Sequence, residues 1–233
     1  MKIAIVGYGK MGKIIDRIAQ ERGHEVVCRL SETPTPENLN GAEVAIEFSQ
    51  PEVAFENIHS LLKAKVPVVC GTTGWLDRKQ EIEEIALNEG TSFLYGSNFS
   101  LGVNLFFALN AKLAQLMTPF EEYKLQLDEI HHLEKKDAPS GTAISIAEGI
   151  IANTTRYDSW VLGESQQNQI GIIAKREDGV PGTHSVYYTS EVDEIEIKHT
   201  AFNRNGFALG AVIASEWIID KKGIFTMQDV LGL

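Results

Sequence analysis

The sequence predicts an α/β protein, with a parallel sheet in its N-terminal part and a smaller α+β region after it. Three observations predict it. Short Val/Ile-rich runs alternate with helical patterns as far as Asn98. Small and polar residues gather directly after each of those runs. After Asn98 the rhythm changes to strand-like segments mixed with two helical ones.

The runs Lys2–Val6, Glu25–Leu30, Glu43–Phe48, Val66–Cys70 and Ser92–Tyr95 read as strands. Helical patterns intervene, one carrying Ile14, Ile15, Ile18 and Ala19 and two more spanning Pro51–Ala64 and Asp77–Asn88. Continuous apolar strands separated by helices imply a parallel sheet covered on both faces. The loops after these strands carry Gly7 to Gly12, Ser31-Glu32, Ser49-Gln50-Pro51, Gly71-Thr72-Thr73-Gly74 and Gly96-Ser97-Asn98-Phe99. In an open parallel sheet that carboxyl edge is where ligands bind. The stretch Thr33–Asn40, with Pro34 and Pro36, reads as a surface loop.

Beyond Asn98, Leu101–Met117 reads as one helix with Leu105, Ala108, Leu109 and Leu113 on its apolar stripe. Tyr123–His131 alternates as a strand, and Thr142–Asn153 is helical. Gln169–Arg176, His184–Ser190 and Glu194–Ala201 are further strands, so the second region is expected to hold a four-stranded mixed sheet. Gly206–Ile219 reads as an apolar helix before a short tail.

Composition bounds the function. The formal net charge of -11 disfavours nucleic acid and anionic membrane as partners, while a local cluster of His and Lys still permits an anionic substrate. Cys28 and Cys70 sit in apolar runs and read as buried thiols; no Cys or His spacing points to a metal. No leader pattern opens the chain, and no apolar run is long enough to span a bilayer, so the expected setting is cytoplasmic.

Gly7-Tyr8-Gly9-Lys10-Met11-Gly12 matches G-x-G-x-x-G between a strand and a helix. There the glycines permit a tight turn, and the helix N-terminus offers N–H groups to a pyrophosphate. The expectation is a Rossmann-type dinucleotide site built from Gly7, Gly9, Lys10, Met11 and Gly12, with Ser49, Gly71, Thr72, Thr73, Ser97, Asn98 and Phe99 on the neighbouring strand-end loops. At the ribose end an acidic residue suits a 2′-hydroxyl and a basic one a 2′-phosphate. The chain offers both Glu32 and Arg29, so NADH and NADPH both stand.

The segment from Glu129 to Thr142 concentrates polar groups between a strand end and a helix start. Ser140 is a natural N-cap, and Ser140-Gly141-Thr142 presents backbone N–H groups fit for a carboxylate. His131, His132 and Lys135 beside it are side chains suited to proton donation or to fixed positive charge, which a hydride acceptor needs. Asp137 is assigned a local role toward the loop backbone or Lys136; Glu134 and Lys136 read as solvated, and Glu129 is set aside.

His131-His132-x-x-Lys135, followed by Asp137-Ala138-Pro139-Ser140-Gly141-Thr142-Ala143, resembles the signature of the 4-hydroxy-tetrahydrodipicolinate (dihydrodipicolinate) reductase family of the diaminopimelate route to lysine. Supporting similarities run over nearly the whole chain: the glycine turn, Phe48-Ser49-Gln50-Pro51, Gly71-Thr72-Thr73-Gly74, Asn98 to Asn104, Pro181-Gly182-Thr183-His184, the Ile195–Ala201 strand and the Met227–Leu231 tail. The resemblance implies His131 as the acid/base group, Lys135 as proton donor, and His132, Ser140, Gly141 and Thr142 as holders of a small dicarboxylate. It places Thr73 where nicotinamide and substrate meet, and the Gly-Ser-Asn-Phe segment on the nicotinamide side. It implies a discontinuous nucleotide domain (1–98 and 205–233), a substrate and oligomerisation domain (99–204), and a homotetramer. Many members carry arginine where this chain has Lys10 and space the first glycines differently, so the resemblance implies a pyridine nucleotide without choosing NADH or NADPH.

Two other readings share the glycine turn. One is another two-domain NAD(P)-dependent dehydrogenase acting on aspartate-derived metabolites, which has no reason to keep the His-His-x-x-Lys and Ser-Gly-Thr arrangement. The other is a non-catalytic nucleotide sensor, which would bind NAD(P)H without oxidising it.

Overall fold

The computed structural model describes all residues from 1 to 233. The chain divides into two compact units, Met1–Leu101 with Asn205–Leu233, and Gly102–Arg204.

The first unit is a six-stranded parallel sheet. Its strands are β1 (Lys2–Val6), β2 (Glu25–Leu30), β3 (Val44–Glu47), β4 (Val68–Cys70), β5 (Ser92–Tyr95) and β11 (Gly223–Phe225), the last strand of the chain. The spatial order is β11-β5-β4-β3-β1-β2. Alternation along each strand sends successive side chains to opposite faces. Ala4, Val6, Ala45, Val68, Cys70 and Phe93 meet helices α2 (Pro51–Lys63) and α3 (Lys79–Asn88) on one face. Ile3, Ile5, Val44, Ile46, Val69 and Leu94 meet α1 (Lys10–Glu21) and α6 (Asn205–Ile218) on the other. Burial on both faces explains why the strands read as unbroken apolar runs rather than as alternating ones. A fully buried Ile such as Ile5 contributes about 2–3 kcal/mol to this core.

Helix ends follow local chemistry. Pro51 opens α2 where its missing N–H costs nothing, with Glu52 in the first turn and Lys63 in the last complementing the helix dipole. Thr226 and Asp229 form a capping box on α7 (Met227–Leu231), and Gly232 ends it in a left-handed conformation. Both cysteines are free and buried, as their apolar surroundings predict.

The second unit carries α4 (Leu101–Met117), which starts at the divide, α5 (Gly141–Ile151) and a mixed sheet of β6 (Lys124–His131), β7 (Ser159–Leu162), β8 (Gln169–Arg176), β9 (Gly182–Thr189) and β10 (Glu194–Ala201). The order is β10-β9-β6-β8-β7, with β8 parallel to β6 and β7, and β9 antiparallel to β6 and β10. Leu125, Leu127, Ile170, Ile172, Val186 and Tyr188 form the sheet side of the core, and Ala143, Ile146, Ala147 and Ile150 of α5 lie against them.

Three differences from the sequence reading have physical causes. The second sheet has five strands rather than four, because β7 is a short edge strand without a buried alternation to announce it. The three-residue β11 is likewise too short for a periodic signal. On α4 the buried face is Val103, Phe106, Asn110, Ala114 and Met117, while Leu105 and Leu109 are exposed in the single chain. A helix rich in apolar residues all round does not reveal which stripe faces the core. No helix is long and apolar enough to cross a membrane.

Candidate active site

Because every strand of the first sheet is parallel, the loops after β1, β2, β3, β4 and β5 share its carboxyl edge. At the point where the order reverses, β1 lies between β2 and β3. A cleft there is lined by Gly7, Ser31, Glu32, Thr33, Ser49 and Asn57. The turn fits a dinucleotide backbone on steric grounds. Gly7 has φ +92°, and a Cβ on it would be driven into the Phe48 carbonyl. A Cβ on Gly12 would strike the carbonyl oxygen of Gly7, so the helix start packs as closely on the strand as a phosphate site requires. Gly9, the N-cap of α1, offers no side-chain cap, leaving the first N–H groups at Lys10 and Met11 to an external acceptor.

Ser49, Thr72 and Gly71 are tied together beneath this edge. The Ser49 amide donates to Thr72 Oγ1 at 2.7 Å, the Gly71 amide donates to the Glu47 carbonyl at 2.9 Å, and the Ser49 hydroxyl donates to the Glu47 carboxyl. Cys70 Sγ lies 3.2 Å from the same carboxyl. Glu47, fully buried, was not singled out in the sequence; burial raises its pKa, partly offset by hydrogen bonds from Ser49, Thr72, Cys70 and Asn57. A raised carboxyl pKa means that the folded state binds the proton more tightly. The stability it contributes is complete below its unfolded pKa and is lost as pH rises through the folded value. Glu47→Gln removes that loss, so its urea midpoint relative to the parent's is expected to rise as pH goes from acid to neutral.

Thr73 and Ser97 are exposed on the same edge, and Asn98 Oδ1 accepts from the Ser100 amide at 2.9 Å. Phe99 packs into the core, 5.6 Å from Phe48 between ring centroids. Arg29 is held by Asp16, Nε at 2.6 Å and NH2 at 2.9 Å, and Tyr8 Oη donates to the same carboxylate at 2.5 Å. Hydrogen bonds from Arg29 and Tyr8 outweigh burial and hold the Asp16 pKa low.

In the second unit the site grows from strand alternation. Leu125, Leu127, Glu129 and His131 share one face of β6, so that face runs from apolar to polar at the strand's end. Register brings the neighbours: Glu129 pairs with His184 of β9, and His131 with Arg176 of β8. Glu129 is fully buried, and both its oxygens accept from the Ser140 amide at 3.1 Å. Its Oε1 lies 3.4 Å from Arg176 NH1 and NH2, and its Oε2 lies 3.4 Å from His131 Nδ1 and 3.8 Å from His184 Nε2. His184 Nε2 is 3.1 Å from Ser140 Oγ, and the two imidazoles meet edge to face at 5.1 Å. The carboxyl and the two imidazoles fall within 4.8 Å of one another, but Arg176 already supplies the positive charge there, so the grouping suits protons rather than a cation.

Ser140 is the N-cap of α5, its hydroxyl accepting from the Ala143 amide at 3.1 Å. Gly141 and Thr142 are the next two residues, and their N–H groups have no carbonyl within the helix to bond. His132, one position past His131 and past the end of the strand, is partly exposed, unlike the buried His131. Lys135 Nζ pairs with both oxygens of Asp137 at 2.8 Å, and its hydrogen bond holds the Asp137 pKa low. The partner of Asp137 is therefore Lys135, not Lys136. Arg176 donates to the carbonyls of Asp137 at 2.6 Å and Lys135 at 3.3 Å, bracing the loop. Burial lowers the His131 pKa, and it brings that of His184 down to about 3.

Glu129, Arg176 and His184 are the residues the sequence reading missed. The two-residue spacing of Glu129 and His131 on a strand was a legible signal for the first. The other two depend on strand register, which has no local signature.

Residues 1–99 match the family described as dihydrodipicolinate reductase, N-terminus, and residues 102–231 match dihydrodipicolinate reductase, C-terminus. The 4-hydroxy-tetrahydrodipicolinate reductase of Christiangramia forsetii is 52% identical over 234 residues, covering 100% of this chain and 98% of the relative. That of Rickettsia bellii is 34% identical, covering 95% of this chain and 90% of its own. Among solved structures, dipicolinate-bound dihydrodipicolinate reductase from Paenisporosarcina sp. TG-14 superposes with a TM-score of 0.79 at 21% identity, over 98% of both chains, a likeness of fold. The class is an α/β oxidoreductase that works with a pyridine nucleotide. The chain belongs to the dihydrodipicolinate reductase family.

Proposed function

We infer that the enzyme reduces 4-hydroxy-tetrahydrodipicolinate to tetrahydrodipicolinate with a nicotinamide nucleotide, a step of the diaminopimelate route to lysine. The observation that carries this is a family match spanning both the glycine turn and the His-His-x-x-Lys segment. The reduced nucleotide supplies a hydride when bound. The chain's own residues do the rest. The N–H groups of Gly141 and Thr142, with Ser140, hold a substrate carboxylate at the start of α5, where the helix dipole adds up to about 2 kcal/mol in a partly buried setting. His132 contributes a further contact to that anion. Lys135 and His131 supply the proton that balances the hydride. Thr73, Ser97 and Asn98, with Phe99 through its backbone alone because its ring is in the core, belong to the nicotinamide side, and Gly7 to Gly12 with Ser49, Gly71 and Thr72 to the phosphates and ribose.

NADH is the preferred reductant. Glu32 follows β2 and lines the cleft with Gly7, where an acidic side chain bonds a ribose 2′-hydroxyl and repels a 2′-phosphate. Arg29, the basic candidate, is committed to Asp16. Glu32→Gln is expected to raise kcat/KM for NADPH relative to NADH by roughly tenfold, about 1.4 kcal/mol of removed repulsion. A wild-type preference for NADPH would overturn the assignment.

The assembly is a homotetramer built through the second unit. Val192, Ile195 and Phe202 near β10, with Leu105 and Leu109 on α4, expose apolar surface that a single chain leaves uncovered. Sedimentation equilibrium tests this directly.

The reaction itself is tested by a coupled assay with synthase-generated substrate, following nicotinamide absorbance with each nucleotide. Oxidation of neither nucleotide would sink the reading and favour a sensor.

A further inference from the structure

We infer that Glu129 is a positioning residue for the reduction: one buried carboxyl fixes the orientation and tautomer of His131 and also anchors Ser140, joining the proton site to the anion cradle. The inference rests on the reading of His131 as a proton-handling group.

Glu129 is fully buried at the end of β6, in reach of four groups from four places in the fold. It accepts from the Ser140 amide at the start of α5, contacts Arg176 on β8, lies 3.8 Å from His184 on β9, and faces His131 on its own strand at 3.4 Å. His131 Nδ1 is buried and makes no hydrogen bond, and the Glu129 carboxylate 3.4 Å away is the acceptor it faces. A neutral imidazole carries a single N–H, and the nitrogen facing a carboxylate is the one that bears it. The proton is therefore assigned to Nδ1, and the lone pair to Nε2. At Nε2 the fold leaves room: a Cβ on Gly182 would come to 3.1 Å from that nitrogen, so a side chain there would press on the ring.

The charged and titratable groups around His131 are Glu129 on its own strand, Lys135 and Asp137 in the following loop, Arg176 on β8 and His184 on β9. Burial, Lys135 and Arg176 favour the neutral ring, and Glu129 and Asp137 favour the charged one. Two members of that set also bond the N-cap residue of the cradle, Glu129 at its amide and His184 at its hydroxyl, and of these Glu129 is the one that faces Nδ1. Any movement of α5's first turn on binding an anion is thus felt by the carboxyl that orients the imidazole.

Glu129→Gln separates these roles. Its amide oxygen can still accept from the Ser140 N–H, while its NH2 must donate to Nδ1 and drive the ring proton to Nε2. We expect kcat to fall about 100-fold or more with the substrate KM changed little, as when a catalytic histidine is held in the wrong tautomer. Nitrogen-15 NMR of the ring, assigned by the signal missing in His131→Asn, should move from the Nδ1–H to the Nε2–H pattern. Glu129→Asp keeps a carboxylate and should recover part of kcat with the Nδ1–H pattern. A Glu129→Gln protein with the parent's ring pattern and pH profile overturns the inference, even where His131→Asn abolishes turnover. A ring that changes tautomer while kcat stays at the parental level upholds the coupling and removes the catalytic reading of His131 on which the inference rests.

Discussion

Lys135→Ala is expected to lower kcat by on the order of 10²–10⁴-fold while NADH binds as before. The size follows from its proposed role. Hydride addition leaves negative charge on the substrate, and a lysine is both a proton donor and a fixed cation close to where that charge appears. The structure shows how the side chain is held ready. Asp137 grips Nζ with both carboxylate oxygens at 2.8 Å, so the ammonium is restrained before substrate arrives. The substitution removes an interaction made chiefly in the transition state, so kcat and kcat/KM should fall together. The glycine turn proposed to accept the nucleotide belongs to the other unit, so its own contacts are expected to be unchanged. Steady-state kinetics with fluorescence titration of NADH checks both halves, and a kcat within twofold of the parent would exclude Lys135 as the donor.

Arg176→Ala is expected to damage stability and catalysis at once. Arg176 supplies the guanidinium beside Glu129, a carboxyl with no exposure to water. Removing one member of a buried pair strands the other, at a cost of about 3–5 kcal/mol. The same guanidinium holds the carbonyls of Lys135 and Asp137, so the loop bearing the proposed proton donor loses its brace. Arg176→Lys should recover part of the stability, since it restores a charge. It should recover little of the turnover, because an ammonium lacks the planar fork that reaches the carboxyl and two carbonyls together. Urea unfolding and kcat, measured on both variants, separate the two effects. Parental stability in Arg176→Ala would show that Glu129 needs no counter-charge.

The parallel sheet was legible because its strands are buried on both faces and each closes on a glycine or small polar loop, as at Gly7 and Gly71. Ser140 was legible because an N-cap is a local event, fixed by a hydroxyl and an amide three residues on. What escaped was non-local. β7 and β11 gain their conformation from the strand beside them, not from their own period. Arg176 and His184 read as ordinary strand residues until register sets them against His131 and Glu129. Glu129 was set aside for a different reason: nothing local distinguishes one acidic residue in a polar segment, and only the burial of its strand face does so. The apolar face of α4 failed by excess, since Leu105 and Leu109 are as hydrophobic as the residues that are buried.

The last strand of the chain completes the first sheet, and α6, just before it, covers the face that carries Ile3 and Ile5. During synthesis, therefore, the N-terminal strands leave the ribosome long before the segments that shield one of their faces. The Gly102–Arg204 unit is contiguous and has no such wait. A nascent chain halted ahead of Asn205 would carry a closed second unit and a first sheet with an open, adhesive side, a natural client for a chaperone.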